Sequence, residues 1–188
     1  MAPIFPVAQR SCAARMAGTV IGTMVLAFFF ANVEIQIEGG AGWATGLPTW
    51  RIEQHWLLDL FWGGRAMTGY HAWVFSFMFL FFHFPMVAAA DYSSKAESRA
   101  LACIMLFWII EDFLWFILNP AFGLAGFNPV AATWHKHWLW HAPIEYWVFL
   151  PVSAALFRQG FRTRLTATAL LTSRRKMPIT APRPSTRH

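Results

Sequence analysis

The sequence predicts an all-α, polytopic membrane protein, a four-transmembrane-helix bundle with one interfacial amphipathic helix. Three observations carry that prediction. Hydrophobic residues make up 57% of the 188 residues and charged residues only 13%, where a soluble domain has roughly a quarter of its residues charged. Aromatic side chains reach 18%, with 11 tryptophans, a residue that anchors membrane interfaces. The apolar residues also gather into four runs, each long enough to cross a hydrocarbon core about 30 Å thick.

The first run, Met16 to Val33, follows Arg10 and Arg15 and resembles a secretory leader. It is long enough to span and ends without a small-x-small cleavage site, so an uncleaved span over about 16–34 is expected. From Val33 to Glu38 apolar and polar residues alternate, and Gly39, Gly40, Gly42 and Gly46 then break regularity, which predicts a helix exit or a short extended piece. In the next stretch Ile52, Trp56, Leu57, Leu60 and Phe61 fall at helical spacing, with Arg51, Glu53, Gln54, His55 and Asp59 largely off that face. This piece is too short to span, and an interfacial helix over about 50–62 follows.

The second span is expected over about 68–90, and the polar stretch Asp91 to Arg99 makes the turn after it. The third runs over about 100–118, closed by Asn119 and Pro120. Gly123, Gly126, Asn128 and Pro129 mark the following connection as turn-rich, and a fourth span over about 138–157 should be bent by Pro143 and Pro151. The chain therefore divides into an N-terminal segment (1–15), a membrane domain (16–158) and a basic tail (159–188) expected to be disordered from about residue 173.

The net charge of +6 is a property of that tail. Arg158, Arg162, Arg164, Arg174, Arg175, Lys176, Arg183 and Arg187 hold eight of the fifteen cations, which suits anionic lipid and membrane orientation rather than a nucleic-acid partner. Adding Arg10, Arg15, Lys95 and Arg99 places twelve cations on the side of the termini against Arg51, Arg65 and Lys136 opposite. The expected arrangement is a multi-pass protein of the inner (plasma) membrane with both termini cytoplasmic. Cys12 and Cys103 are the only cysteines, too few for a disulfide framework.

Chemistry concentrates between Trp134 and Trp147, where His135, His137, His141 and Glu145 lie. In a helix, His137, His141 and Glu145 would follow at four-residue intervals and line one face. Glu111, Asp112 and Glu145 fall within expected spans, and each carboxylate at bilayer centre costs about 2.5 to 3.5 kcal/mol on insertion scales. No lysine or arginine occurs from Ala100 to His135 or from His137 to Phe157, so imidazolium, a metal or protons must answer the acids. At 1.5 Å per residue, His71 and His141 lie about 5 Å inside the outer end, Glu145 about 10 Å and Glu111 about 12 Å.

Imidazole and carboxylate at shared depth suit a transition metal, iron or zinc. The expected ligands are His137, His141, Glu145, Glu111 and His71, with Glu111 and Asp112 as candidate catalytic acid and base. The function so predicted is a metal-dependent, membrane-embedded enzyme acting on a lipidic or isoprenoid-like substrate. The alternatives are a non-catalytic subunit or assembly partner of a larger membrane complex or homo-oligomer, and a single-haem b-type cytochrome using His71 and His141. The structural reading of the same residues is protonated acids hydrogen-bonded to Asn119, tryptophan N–H groups or backbone, with His55, His83 and His135 as interfacial side chains.

Overall fold

The computed structural model describes residues 12–162. The expectations for the disordered tail and for the first eleven residues lie outside that range. Four long helices form the body: α1 (Cys12–Glu38), α3 (Gly69–Ala89), α4 (Ser94–Leu118) and α5 (Ile144–Phe161). Between α1 and α3 lie β1 (Arg51–Ile52), the short α2 (Trp56–Phe61) and β2 (Met67–Thr68). A 3-10 turn (Leu124–Gly126) and the pair β3 (Trp138–Leu139) and β4 (Ala142–Pro143) stand between α4 and α5. Helices α1, α3 and α4 are long and apolar enough to cross a membrane.

Helix α4 is the axis of the bundle and packs on the other three, most extensively on α5 and α1. Its N-terminus is set by Ser93, whose Oγ accepts from Ala96 N at 3.2 Å. From there it runs unbroken to Asn119, whose Nδ2 donates to Gly39 O at 2.8 Å and ties the end of α4 to the end of α1. At the other end α5 comes so close to α4 that a Cβ on Gly160 would stand 2.6 Å from Arg99 Cγ and 3.1 Å from Lys95 O. Midway, Ser153 Oγ donates to Ala102 O at 2.9 Å.

Three expected boundaries change. The first helix continues through the alternating stretch to Glu38, because Glu34 and Ile35 are buried and Gly39, at φ +61°, closes the helix only there. The helix expected over 50–62 is shorter than that range. Arg51 and Ile52 instead pair antiparallel with Thr68 and Met67, and only Trp56–Phe61 is helical, started by His55, whose Nδ1 accepts from Leu57 N at 3.2 Å.

The last helix starts at Ile144 rather than near residue 138. Trp138 and Leu139 pair antiparallel with Pro143 and Ala142, and Trp140, at φ +54°, turns the chain in the left-handed region. Pro143 therefore precedes α5 as its N-cap and does not bend it, leaving Pro151 inside. At 18 residues α5 spans about 27 Å. A two-stranded ladder thus leads directly into a long helix twice, β2 into α3 and β4 into α5.

Candidate functional site

These two ladders and the connection from Asn119 close one end of the bundle. Beneath them lies a cavity of about 190 Å³. Glu34 and Glu38 of α1, His71 and Phe75 of α3, Trp108, Ile109, Glu111, Asp112 and Trp115 of α4, and Glu145, Tyr146 and Phe149 of α5 all reach it. Trp43, Trp62, Gly63 and Arg65 cover it from the first connection, and Trp134 and His135 from the second. Around the second connection Ala31, Ile35, Trp115, Phe116 and Ala132 form a buried apolar cluster, which fixes His135 at 4% exposure.

His135 sits between two acids. Its Nε2 stands 3.2 Å from Asp112 Oδ2, off the line of a straight hydrogen bond, and its Nδ1 stands 3.9 Å from Glu145 Oε1. Arg65 Nη2 approaches the same Nδ1 at 2.6 Å and also forms an ion pair with Glu145. On the other side of Asp112, the Tyr146 hydroxyl donates to Oδ2. Burial disfavours a charged imidazole, but the Asp112 and Glu145 carboxylates outweigh burial and the Arg65 charge, and hold His135 above its ordinary value of 6.5. Neutral, His135 can accept from Arg65 through Nδ1; protonated, it has the Asp112 and Glu145 carboxylates at 3.2 and 3.9 Å as counter-charge. Both protonation states have a partner, which is what a group that gives and takes a proton requires.

His71 is fixed differently. Thr68 Oγ1 accepts from His71 N at 3.2 Å and lies 2.7 Å from Nδ1, which fixes the ring against the start of α3. Nε2 faces Glu38 Oε1 at 4.0 Å. The ring stacks on Trp43 at 3.9 Å, and the Arg65 guanidinium lies 5.3 Å from the centre of the Trp43 ring. Glu34 accepts from the Tyr70 hydroxyl at 3.0 Å, and Glu38 from Ala44 N at 2.5 Å.

Of the residues expected to carry the site, the structure brings Glu111, Asp112, Glu145 and His71 to this cavity. It does not bring His137 or His141. The stretch that would align them with Glu145 is the β3–β4 ladder rather than a helix, and both histidines are exposed outside the cavity lining. The metal strip therefore loses the helix it rested on. His71 and His141 likewise do not share the cavity that a haem between them would need. Among the described residues no three His, Cys, Asp or Glu side chains converge to hold a metal ion.

Arg65, Tyr146, Glu34 and Glu38 belong to the site and were not expected there. Arg65 enters by way of Gly63, whose φ of +63° suits glycine and where a Cβ would stand 3.1 Å from Glu145 Oε1. The Gly63-Gly64-Arg65 sequence was the one local sign that backbone there must approach something closely.

Six buried side-chain polar atoms among the described residues have no hydrogen-bond partner: Trp62 Nε1, Arg65 Nε, Glu111 Oε1, Trp115 Nε1, His135 Nε2 and Glu145 Oε2. All six residues line this cavity. Three apolar helices around such a chamber define a helical, membrane-embedded protein. No family model matches the chain, and no curated protein or solved structure is significantly similar to it.

Proposed function

We propose that this chain is a membrane-embedded enzyme that performs acid–base chemistry on the polar end of an amphiphilic substrate. The observation that carries the reading is the gathering of the unpartnered buried polar atoms around one cavity. Buried polar groups are almost always hydrogen-bonded, and each one left bare costs about 1 to 3 kcal/mol. Six around one chamber, three of them N–H donors and two carboxylate oxygens, describe the complement of a polar ligand.

His135 is the proton-transferring residue in this reading, with the Asp112 carboxylate beside it as counter-charge and Tyr146 holding Asp112 in place. Arg65 neutralises Glu145. The apolar part of the substrate extends past Phe149, which lines the cavity while remaining 39% exposed on α5. Helix α5 is the fourth span, and both termini face the cytoplasm of a plasma-membrane protein, the side favoured by twelve of the fifteen cations. No step is assigned to a metal, because the candidate ligands do not converge.

A non-catalytic subunit is the second reading. Trp73, Phe77, Leu80 and Phe84 form an exposed stripe along α3, suited to lipid or to another membrane helix. One experiment separates the two: comparison of the amphiphiles in membranes carrying the wild-type chain, His135→Asn or His137→Asn at matched protein levels. The enzyme reading expects one species to accumulate and another to be depleted with His135→Asn, while His137→Asn matches wild type. Identical profiles from all three, or a loss of folded protein that accounts for the change, favour the subunit.

A further inference from the structure

The reading of the cavity as a ligand site leaves the ligand's chemistry open, and the distribution of charge narrows it. Arg65 is committed to Glu145, and His135 stands against Asp112. Glu34, Glu38 and Glu111 remain on the α1 and α4 wall, and among the described residues no lysine or arginine lies within 4.0 Å of them. His71 approaches only Glu38, at 4.0 Å, beyond hydrogen-bond reach. Glu34 and Glu38 have neutral donors, the Tyr70 hydroxyl and the Ala44 amide, but Glu111, only 3% exposed, faces the cavity with Oε1 bare.

Around these acids stand aromatic faces. Phe75 and Trp108 line the same cavity and pack at 4.1 Å between ring centres. Carboxylates enclosed by aromatic rings are the recognition chemistry of organic cations, in which the rings contribute through their quadrupoles and the acids through charge. The volume agrees. A cavity of 150 Å³ accommodates benzene, so about 190 Å³ takes an ammonium group with a few attached carbons.

We propose that the ligand's polar end is an organic ammonium group, seated against Glu111 and Glu34 beside Phe75 and Trp108. The group can arrive as a small free amine or as the head of a membrane amphiphile.

The test uses the full-length chain in a neutral maltoside detergent, with tryptophan fluorescence as readout. Three probes are titrated: choline, dodecyltrimethylammonium, and 3,3-dimethylbutan-1-ol, the uncharged isostere of choline. At least one cation is expected to bind ten-fold or more tightly than the alcohol, and Glu111→Gln to abolish that preference. Glu34→Gln serves as the second variant should Glu111→Gln fail to fold by circular dichroism and gel filtration. Binding of both cations assigns a free amine; binding of dodecyltrimethylammonium alone assigns a membrane-borne one. Equal binding of cations and alcohol, or a preference unchanged in a folded variant, overturns the ammonium proposal and leaves the ligand cavity standing. If none of the three probes binds, the ligand-cavity reading itself fails.

Discussion

Two nitrogens with different neighbours give His135 its role, and they make its behaviour with pH predictable. Its pKa in the folded chain lies above the ordinary 6.5, so its pairing with Asp112 and Glu145 stabilises the fold fully below that value. The contribution is lost as pH rises through the folded pKa and the imidazolium discharges. Thermal unfolding in detergent from about pH 5.5 to about pH 9 should therefore show His135→Asn well below wild type at the acid end, the gap closing toward the alkaline end. A gap that widens with pH contradicts the assignment. Arg65 invites a second substitution. Both it and Glu145 are largely buried, so Arg65→Met leaves a carboxylate without its cation and should cost about 3 kcal/mol or more. Glu145→Gln in the same chain should recover much of that loss, which a double-mutant cycle measures. The acids at 111, 112 and 145 were legible in the sequence because charge in an apolar run is costly wherever it points. Arg65 was not, since its charge reaches Glu145 from a loop 80 residues away in the chain, a distance no local pattern reports.

At the scale of elements, close packing of α4 against α5 is the feature most exposed to single changes. Gly160→Val places new carbon against Arg99 Cγ and the backbone oxygen of Lys95, and overpacking of that kind costs about 1 to 3 kcal/mol. The melting temperature in detergent should fall, with no effect confined to the distant cavity. The same scale shows where sequence patterns carry and where they fail. Helix α3 and its start at Gly69 were readable to within a residue, because Thr68 caps an unbroken apolar run. Helix α5 was not, because the four-residue spacing of His137, His141 and Glu145 reads as one helical face, while the tertiary pairing of Trp138 with Pro143 folds that stretch back on itself. A proline read as a kink was an N-cap, and six residues moved from helix to ladder.

For the molecule as a whole, the acids of the cavity, both ladders and the ends of α1 and α4 share one end of the bundle, while Cys12, Arg99 and Gly160 meet at the other. With α5 as the fourth span, a membrane-impermeant maleimide added to intact cells should label a cysteine introduced at Trp140 and leave Cys12 unlabelled until the membrane is permeabilised. Labelling of both from the same side contradicts the four-span arrangement. The general architecture of apolar helices needed only composition and run length to be seen. The chamber needed coordinates, because its wall is drawn from four helices and two connections that no run of sequence contains together.

The most direct measurement is an experimental structure of the full-length chain from its own membrane at a resolution that shows ordered non-protein atoms. A molecule larger than water within about 3.2 Å of Glu111 Oε1, His135 Nε2 and Trp115 Nε1 is the predicted result. Those atoms paired with one another or with backbone, or met by isolated waters alone, would contradict the account.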